Sequence, residues 1–238
     1  MNSPIFQYMV IISVSGVLSV LLTIYAFVKK ELMSSRKTFI IMSVLSAIYI
    51  FGHALELSSS TIKQISFWIK FQYCGLPFIA PTCLVLVLQY VGLDKFLTRG
   101  RIISLFIIPL ITFLLSWTND IHHWMYRSLY LRPDVTSPVV DMITGPWYVV
   151  HGSFTFGSLL LGTCILLWYW QRTKATYWKQ IVTLIASLVI PMVASFLYLI
   201  GLSPYGMDPV PMVMCFTNAL YFWGIFSSKL FVLAPIAL

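Results

Sequence analysis

The chain has 238 residues, of which 59% are hydrophobic and only 9% are charged. A soluble domain of this size cannot bury so much apolar surface in one core, so a soluble globular protein is excluded. The net charge of +8 does not indicate a nucleic-acid partner. The basic residues fall between apolar segments, where they face anionic membrane lipid.

Charged residues divide the chain into seven apolar segments, each long enough to cross about 30 Å of bilayer hydrocarbon. We therefore predict an all-α polytopic membrane protein, a bundle of seven transmembrane helices in one domain over residues 1–238. The one sizeable loop, residues 119–145, is rich in turn-forming residues and is expected on the outer side. The predicted spans are 5–28, 38–57, 66–91, 101–118, 146–170, 180–201 and 209–231.

Basic residues flank these segments asymmetrically and predict the orientation of the bundle. Lys and Arg concentrate in the cytoplasmic loops of membrane proteins. If the N-terminus is outside, eleven of the 15 lysines and arginines lie on the inner side. The remaining four are Lys63, Lys70, Arg127 and Arg132. The sequence thus predicts an outer N-terminus and a cytoplasmic C-terminus. The first segment has no charge before its apolar run, which favours a retained helix over a signal peptide.

Polar residues within the second and third segments carry the functional prediction. A charged side chain at the bilayer centre costs at least about 2.5–3.5 kcal/mol, so each one requires a reason. His53 and Glu56 lie on one helix face, and Lys70, Gln72 and Tyr73 open the next segment. Because a short outer turn joins these segments, we expect Glu56 and Lys70 to form an ion pair or to bind one polar ligand. The alternative is that Lys70 snorkels to the headgroups and Glu56 lies in interfacial water.

Polar groups of the later segments extend the same pattern. His151 and Asp208 are expected at the outer level, and Asn218 about ten residues deeper. Proton and ion carriers usually need titratable groups near the midplane, and no acidic group lies midway along any segment. The pattern favours a protein that binds a ligand outside and reports inward. The candidate ligand-binding residues are His53, Glu56, Lys70, Gln72, Tyr73, His151, Asp208 and Asn218.

Several short motifs follow one another along the chain. Ala54-Leu55-Glu56 reads A-x-E, and the run from Gln72 is similar to Q-Y-x-G-x-x-x-x-P, with Pro77 and Pro81 both candidates for its proline. The run Asn119-Asp120-Ile121-His122 reads N-x-x-H. The other motifs are Tyr90 closing the third segment, Gly145-Pro146-Trp147-Tyr148, Asp208-Pro209-Val210-Pro211, and the run from Phe231 to Ala237 at the exit of the seventh.

Together these motifs resemble the N-terminal seven-transmembrane sensor region of bacterial histidine kinases, which also precedes diguanylate cyclases and PAS modules. The resemblance implies a receptor in the bacterial plasma membrane that binds a small ligand or senses a membrane stimulus near the outer face. It also implies a homodimer, and a cytoplasmic kinase or cyclase module in the same polypeptide that receives the signal through the last helix. The apolar run that ends at Leu238 is expected to be a helix cut where it enters this module.

No catalytic motif accompanies these residues, so we predict no catalytic residues, no metal and no cofactor in this chain. A retinal protein needs a lysine in the middle of its last span, whereas Lys229 lies at the inner end. Asp120, His122 and His123 form only a short cluster, which is weak evidence for a metal site. The alternatives to a receptor are a small-molecule or ion transporter and a stand-alone integral membrane protein. A transporter would show matching helix breaks in two halves, and the prolines do not match in this way.

The asymmetry of the basic residues generates a topology prediction. A reporter enzyme fused after Leu238 should be active only as a cytoplasmic reporter, and one inserted in residues 119–145 only as an external reporter. Activity of a periplasmic-type reporter at the C-terminal fusion would contradict this orientation.

Overall fold

The computed structural model describes residues 4–28, 34–131, 140–173, 175–203 and 206–226, which form a helical bundle with a β-hairpin at one end. Lys229 and the predicted exit motif after it lie outside the described residues. The elements in chain order are α1 (Pro4–Val28), α2 (Ser34–Leu57), α3 (Ile62–Gln72), α4 (Leu76–Tyr90), α5 (Arg99–Trp117), α6 (Asn119–His122), β1 (Tyr126–Leu131), β2 (Val140–Thr144), α7 (Pro146–Arg172), α8 (Trp178–Leu199) and α9 (Val210–Phe226).

The long apolar helices confirm the predicted fold class of a polytopic helical membrane protein. Six helical stretches are long and apolar enough to cross a membrane, with α3 and α4 counted together as one stretch, Ile62–Tyr90. The seventh, Val210–Ile225 within α9, is a shorter apolar helix. Each of these helices corresponds to one predicted span, with ends that differ by a few residues.

The third predicted span is broken between α3 and α4. Proline lacks a backbone N–H, and its ring clashes with the carbonyl four residues earlier. Pro77 therefore disfavours continuous helix at Tyr73, and the chain crosses residues 73–75 through tight i to i+3 hydrogen bonds. Among these bonds, the Gly75 N–H donates to the Gln72 carbonyl at 3.0 Å. The break lies where the third span passes the middle of α2.

The predicted loop 119–145 contains structure that its turn-rich composition did not indicate. Strands β1 and β2 pair in antiparallel register, with Leu129 opposite Met142 and an irregularity between Tyr126 and Ser128. The Gly145 N–H donates to the Met125 carbonyl at 2.8 Å, so the hairpin continues directly into α7. The hairpin thereby caps the end of the bundle at which α2, α5 and α8 end. We refer to this end as the hairpin end.

The packed core lies between α2, α4, α7, α8 and α9, with α1 on its edge. Leu86, Leu166 and Leu188 contribute a fully buried or nearly fully buried side chain from each of three central helices. Helix α5 is peripheral, and many of its apolar side chains are exposed, including Ile103 at 66%. An exposed apolar surface of this kind is expected where a helix faces lipid.

Gly75 lies where α4 begins against the middle of α2. A Cβ added at this buried position would overlap the backbone carbonyl oxygen of Leu45, and a backbone atom cannot move aside as a side-chain tip can. We expect Gly75→Ala to destabilise the bundle by about 1–3 kcal/mol, the usual effect of overpacking. The measurement is the thermal unfolding midpoint in detergent.

The matched control is Gly157→Ala in α7, where an added Cβ would meet no atom within 4 Å. This variant should be neutral or slightly stabilised, because alanine is the better helix former. Equal unfolding midpoints for the two variants would show that α2 and α4 do not approach closely.

Candidate functional site

Two neighbouring cavities open inside the hairpin end of the bundle. The larger has a volume of about 130 Å³ and lies between α2, α4, α7, α8 and α9. The smaller has a volume of about 80 Å³ and lies directly under Val140 and Met142 of the hairpin. Asp208 borders both cavities, as do four tyrosines that we call the tyrosine cluster. The tyrosine cluster consists of Tyr49, Tyr73, Tyr148 and Tyr198.

Asp208 joins three helices at the wall shared by the two cavities. Its Oδ1 accepts a hydrogen bond from the Val210 N–H at 2.9 Å, so the carboxylate caps the start of α9. Its Oδ2 accepts from the Tyr49 hydroxyl of α2, and its backbone carbonyl accepts from the Tyr8 hydroxyl of α1. Burial raises the pKa of this carboxyl above its ordinary value, although His53 and the bonds from Tyr49 and Val210 act in the opposite direction.

A second carboxylate, Glu56, borders the smaller cavity. Its Oε2 accepts from Nε2 of Gln72 at 2.6 Å and lies 3.0 Å from Nδ1 of His53. The pair His53 and Glu56 lies three residues apart on α2, as the sequence predicted, and the side chains are only 7% and 15% exposed. Gln72 ends α3, so this group connects α2 to the break in the third span. The three side chains form a polar wall that could hold a hydrogen-bonding ligand group.

The larger cavity changes in character with depth. At the hairpin end it is bordered by Asp208 and the tyrosine cluster, and farther in by apolar side chains such as Leu159, Met192 and Met214. His151 and Asn218 also line it, as the predicted site requires. Asn218 donates from Nδ2 to the Ser19 hydroxyl at 3.2 Å, an ordinary interhelical hydrogen bond between α9 and α1.

Lys70 does not join the other predicted site residues. Its Nζ pairs with Oδ2 of Asp120 at 2.5 Å, and the predicted Glu56–Lys70 ion pair is therefore wrong. Lys70 lines a separate surface cleft with Lys63 and Arg127, outside both cavities. The structure thus brings together seven of the eight candidate residues around the two cavities and places Lys70 elsewhere. The seven are His53, Glu56, Gln72, Tyr73, His151, Asp208 and Asn218.

The N-x-x-H motif organises the entry to the hairpin. Asn119 is fully buried, and its Oδ1 accepts from the backbone N–H groups of Met125 and Tyr126 at 2.9 and 3.2 Å. Nδ1 of His122 accepts from the Trp124 N–H at 3.0 Å. His123 takes the left-handed conformation, with φ of 55°, that the turn between them requires. The motif therefore forms a structural turn. Among the described residues, no three or more His, Cys, Asp or Glu side chains lie close enough together to hold a metal ion.

Three tyrosines of the site and Thr155 were missed in the sequence. Tyr49 lies four residues before His53, and Tyr148 three residues before His151, so helical periodicity places each on the same face as a predicted residue. Aromatic residues near helix ends are usual in the interfacial belt of any membrane protein. The sequence alone therefore does not distinguish the tyrosines that face inward from those that face the membrane interface. Tyr198 has no such neighbour and could not be found from periodicity.

The sequence profile of the family described as the N-terminal 7TM region of histidine kinase matches residues 11–235. This match covers nearly all of the chain and includes every residue around the two cavities. The chain belongs to this family. It is thus a multi-pass seven-transmembrane region of histidine-kinase type, a sensor domain of signal-transduction proteins. A search of curated proteins found no match to the chain.

The buried carboxyl of Asp208 gives this sensor region a predictable pH dependence. Its folded-state pKa is raised above the ordinary 3.8, so the folded protein binds this proton more tightly than the unfolded chain does. The stability that the proton contributes is present at low pH and is lost as the pH rises above 3.8 through the folded-state pKa. For one titrating group, the unfolding free energy cannot change by more than about 1.4 kcal/mol per pH unit.

Asp208→Asn replaces the protonated carboxyl by a neutral group of the same shape, and it should remove this part of the pH dependence. The measurement is the unfolding midpoint of the wild type and of Asp208→Asn in detergent, at pH values from 3.8 upward. Asp141→Asn, which changes an exposed carboxylate of β2, is the control and should retain the wild-type slope. Identical slopes in all three proteins would contradict the raised pKa of Asp208.

Proposed function

We propose that this sensor region binds a small ligand near the outer face of a bacterial plasma membrane and passes the signal through α9. The recipient is a cytoplasmic kinase or cyclase module of the same polypeptide, which works as a homodimer. The observation that carries this proposal is that α9 forms one wall of the larger cavity, through Val210, Met214 and Tyr221. A ligand in that cavity would touch the helix that leads toward the output module.

The distribution of charge supports an outward-facing hairpin end. In the described part of the chain, the hairpin end carries Lys63, Lys70 and Arg127. The opposite end carries more basic residues, which the positive-inside rule assigns to the cytoplasm. These are Arg36, Lys37, Lys95, Arg99, Arg101, Arg172 and Lys179. The smaller cavity and the mouth of the larger one then lie toward the outer face, where a ligand from outside can reach them, and the larger one extends inward as far as Met42.

The bonds around Asp208 are the contacts that we expect to differ between the two states of the sensor. A ligand shifts a conformational equilibrium only through contacts that differ between the states. Asp208 holds α1, α2 and the start of α9 together next to both cavities, so a ligand that competes for the Tyr49–Asp208 bond would release α9 from α2. Rigid-body movement of one helix against its neighbours is a common form of such transitions.

Substitutions in the two cavities should change signalling at unchanged membrane abundance. Glu56→Gln alters the polar wall, Asp208→Asn alters the carboxyl that borders both cavities, and Met214→Trp fills the larger cavity from α9. A change of about 1.4 kcal/mol in the free-energy difference between the two states alters the ratio of active to inactive receptor about tenfold. We expect each variant to shift autophosphorylation, or cyclase output, of the complete receptor by about threefold or more.

Two substitutions outside the cavities serve as controls. Phe216→Leu changes an exposed side chain of α9, and Lys70→Met breaks a surface ion pair. Both should leave the output and its ligand response near the wild-type level. If the cavity variants behave like these controls at normal expression, the cavities have no part in signalling.

A further inference from the structure

Two polar atoms on the α7 wall of the larger cavity have no hydrogen-bond partner within the part of the chain that the structure describes. These are Nδ1 of His151, a residue only 7% exposed, and Oγ1 of Thr155. They are four residues apart on α7 and therefore lie one turn apart on one face. Pairing of buried polar groups is the rule, and an unpaired one requires an explanation.

The Tyr221 hydroxyl of α9 also has no partner among the described residues. The hydroxyl groups of Ser46 and Thr217, however, differ from that of Thr155. Ser46 Oγ donates to the Met42 carbonyl at 2.9 Å, and Thr217 Oγ1 donates to the Met214 carbonyl at 3.0 Å. Such bonds to the preceding helical turn are the usual way in which Ser and Thr are satisfied inside a membrane helix. Thr155 has no such bond, so its hydroxyl remains available to a molecule in the cavity.

The distance between the two groups limits what can bind both. Side chains one helical turn apart have Cβ atoms about 5–6 Å apart. One oxygen atom at hydrogen-bonding distance from each, about 2.8 Å, fills that gap. A hydroxyl group can donate to the imidazole nitrogen and accept from the threonine, or make the reverse pair of bonds. A ligand group that only donates or only accepts also satisfies both, but a hydroxyl does so in either tautomer of His151.

The size and charge of the cavity define the rest of the ligand. A cavity of about 130 Å³ is close to the roughly 150 Å³ that accommodates one benzene molecule. Among the described residues that line this cavity there is no Lys or Arg, and the one acidic residue, Asp208, already accepts from Tyr49 and Val210. An anion would therefore find no Lys or Arg to neutralise its charge, and a cation would have to displace existing bonds of Asp208. The body of the ligand would contact Leu159, Met192 and other apolar side chains.

We propose that the larger cavity binds a small neutral molecule with an apolar body and one hydroxyl group, held by His151 and Thr155. This inference rests on the proposed function, because it names the chemical class that the sensor would detect. His151 and Thr155 lie about 7 and 13 Å along α7 from Pro146, by the rise of 1.5 Å per residue. The hydroxyl would therefore lie inside the outer half of the bundle, next to Tyr73, whose ring centroid is 6.0 Å from that of His151.

Binding is tested with benzyl alcohol on the complete sensor region in lipid nanodiscs. The chain carries 10 methionines, and the methyl groups of labelled Met42, Met192 and Met214 report on the cavity that they line. Met125 is fully buried in the separate cluster under the hairpin and lines neither cavity, so it reports on non-specific partition. We expect saturable NMR shifts of the three cavity methyl groups and none of Met125.

The hydroxyl contact is tested with matched ligands and matched variants. Toluene lacks the hydroxyl and benzoate carries a charge, so both should bind at least about threefold more weakly than benzyl alcohol. Thr155→Val should weaken benzyl alcohol by about three- to tenfold and leave toluene unchanged. Thr163→Val is the control, because the Thr163 hydroxyl lies on the same helix, donates to the Leu159 carbonyl and does not line the cavity. If Thr155→Val does not fold, the comparison of ligands in the wild type still decides.

Three outcomes would overturn this inference. They are shifts that grow linearly and include Met125, equal affinity for toluene and benzyl alcohol, and no loss of affinity in Thr155→Val. Any of these would mean that membrane partition, apolar packing or water alone explains the cavity. The signalling experiment stays independent of this result. If the cavity variants change output but benzyl alcohol does not bind, the proposed sensor function is supported and the proposed ligand class is rejected. If benzyl alcohol binds but the cavity variants do not change output, only the sensor function is rejected.

Discussion

A single buried carboxylate, Asp208, determines how the helices at the hairpin end are arranged. Desolvation of a carboxylate is expensive unless hydrogen bonds compensate it, and here the donors come from two different helices. Tyr49 of α2 and the Val210 N–H of α9 bond its two oxygens, while Tyr8 of α1 bonds its backbone carbonyl. Moving any of these helices leaves an unpaired polar group next to the cavities. The contacts therefore act as one unit and not as separate bonds.

The tyrosine cluster suits the boundary between a polar chamber and an apolar one. Each tyrosine offers a hydroxyl at one end and an aromatic ring at the other, so it can face Asp208 and apolar side chains at once. The smaller cavity adds His53, Glu56 and Gln72, whereas the larger extends among Leu159, Met192 and Met214. A ligand that crosses this boundary exchanges a polar environment for an apolar one. Such a gradient would favour neutral molecules.

Sequence reasoning predicted the seven helices and seven of the residues that line the two cavities, because periodicity and hydropathy are local properties. His53 and Glu56 are an example, since a spacing of three fixes their common face whatever surrounds the helix. Lys70 is the opposite case. Its depth in the membrane was readable, but its partner Asp120 is 50 residues away in a loop whose structure the sequence did not reveal. The break at residues 73–75 also interrupts the regular α-helix of the third span, so helical periodicity cannot be carried across it.

Helix α9 is attached to α1 at two levels, and this limits how it can move. Tyr8 bonds the Asp208 carbonyl just before the start of α9, and Ser19 bonds Asn218, about 15 Å farther along by the helical rise. Sliding of α9 along α1 would break both contacts at once, whereas rotation about α1 can preserve one while the other changes. Met214 lies between these two attachments and faces the larger cavity. A molecule that contacts Met214 would therefore push on α9 between its two attachments to α1. This position favours rotation of α9 over sliding as the movement that would carry a signal.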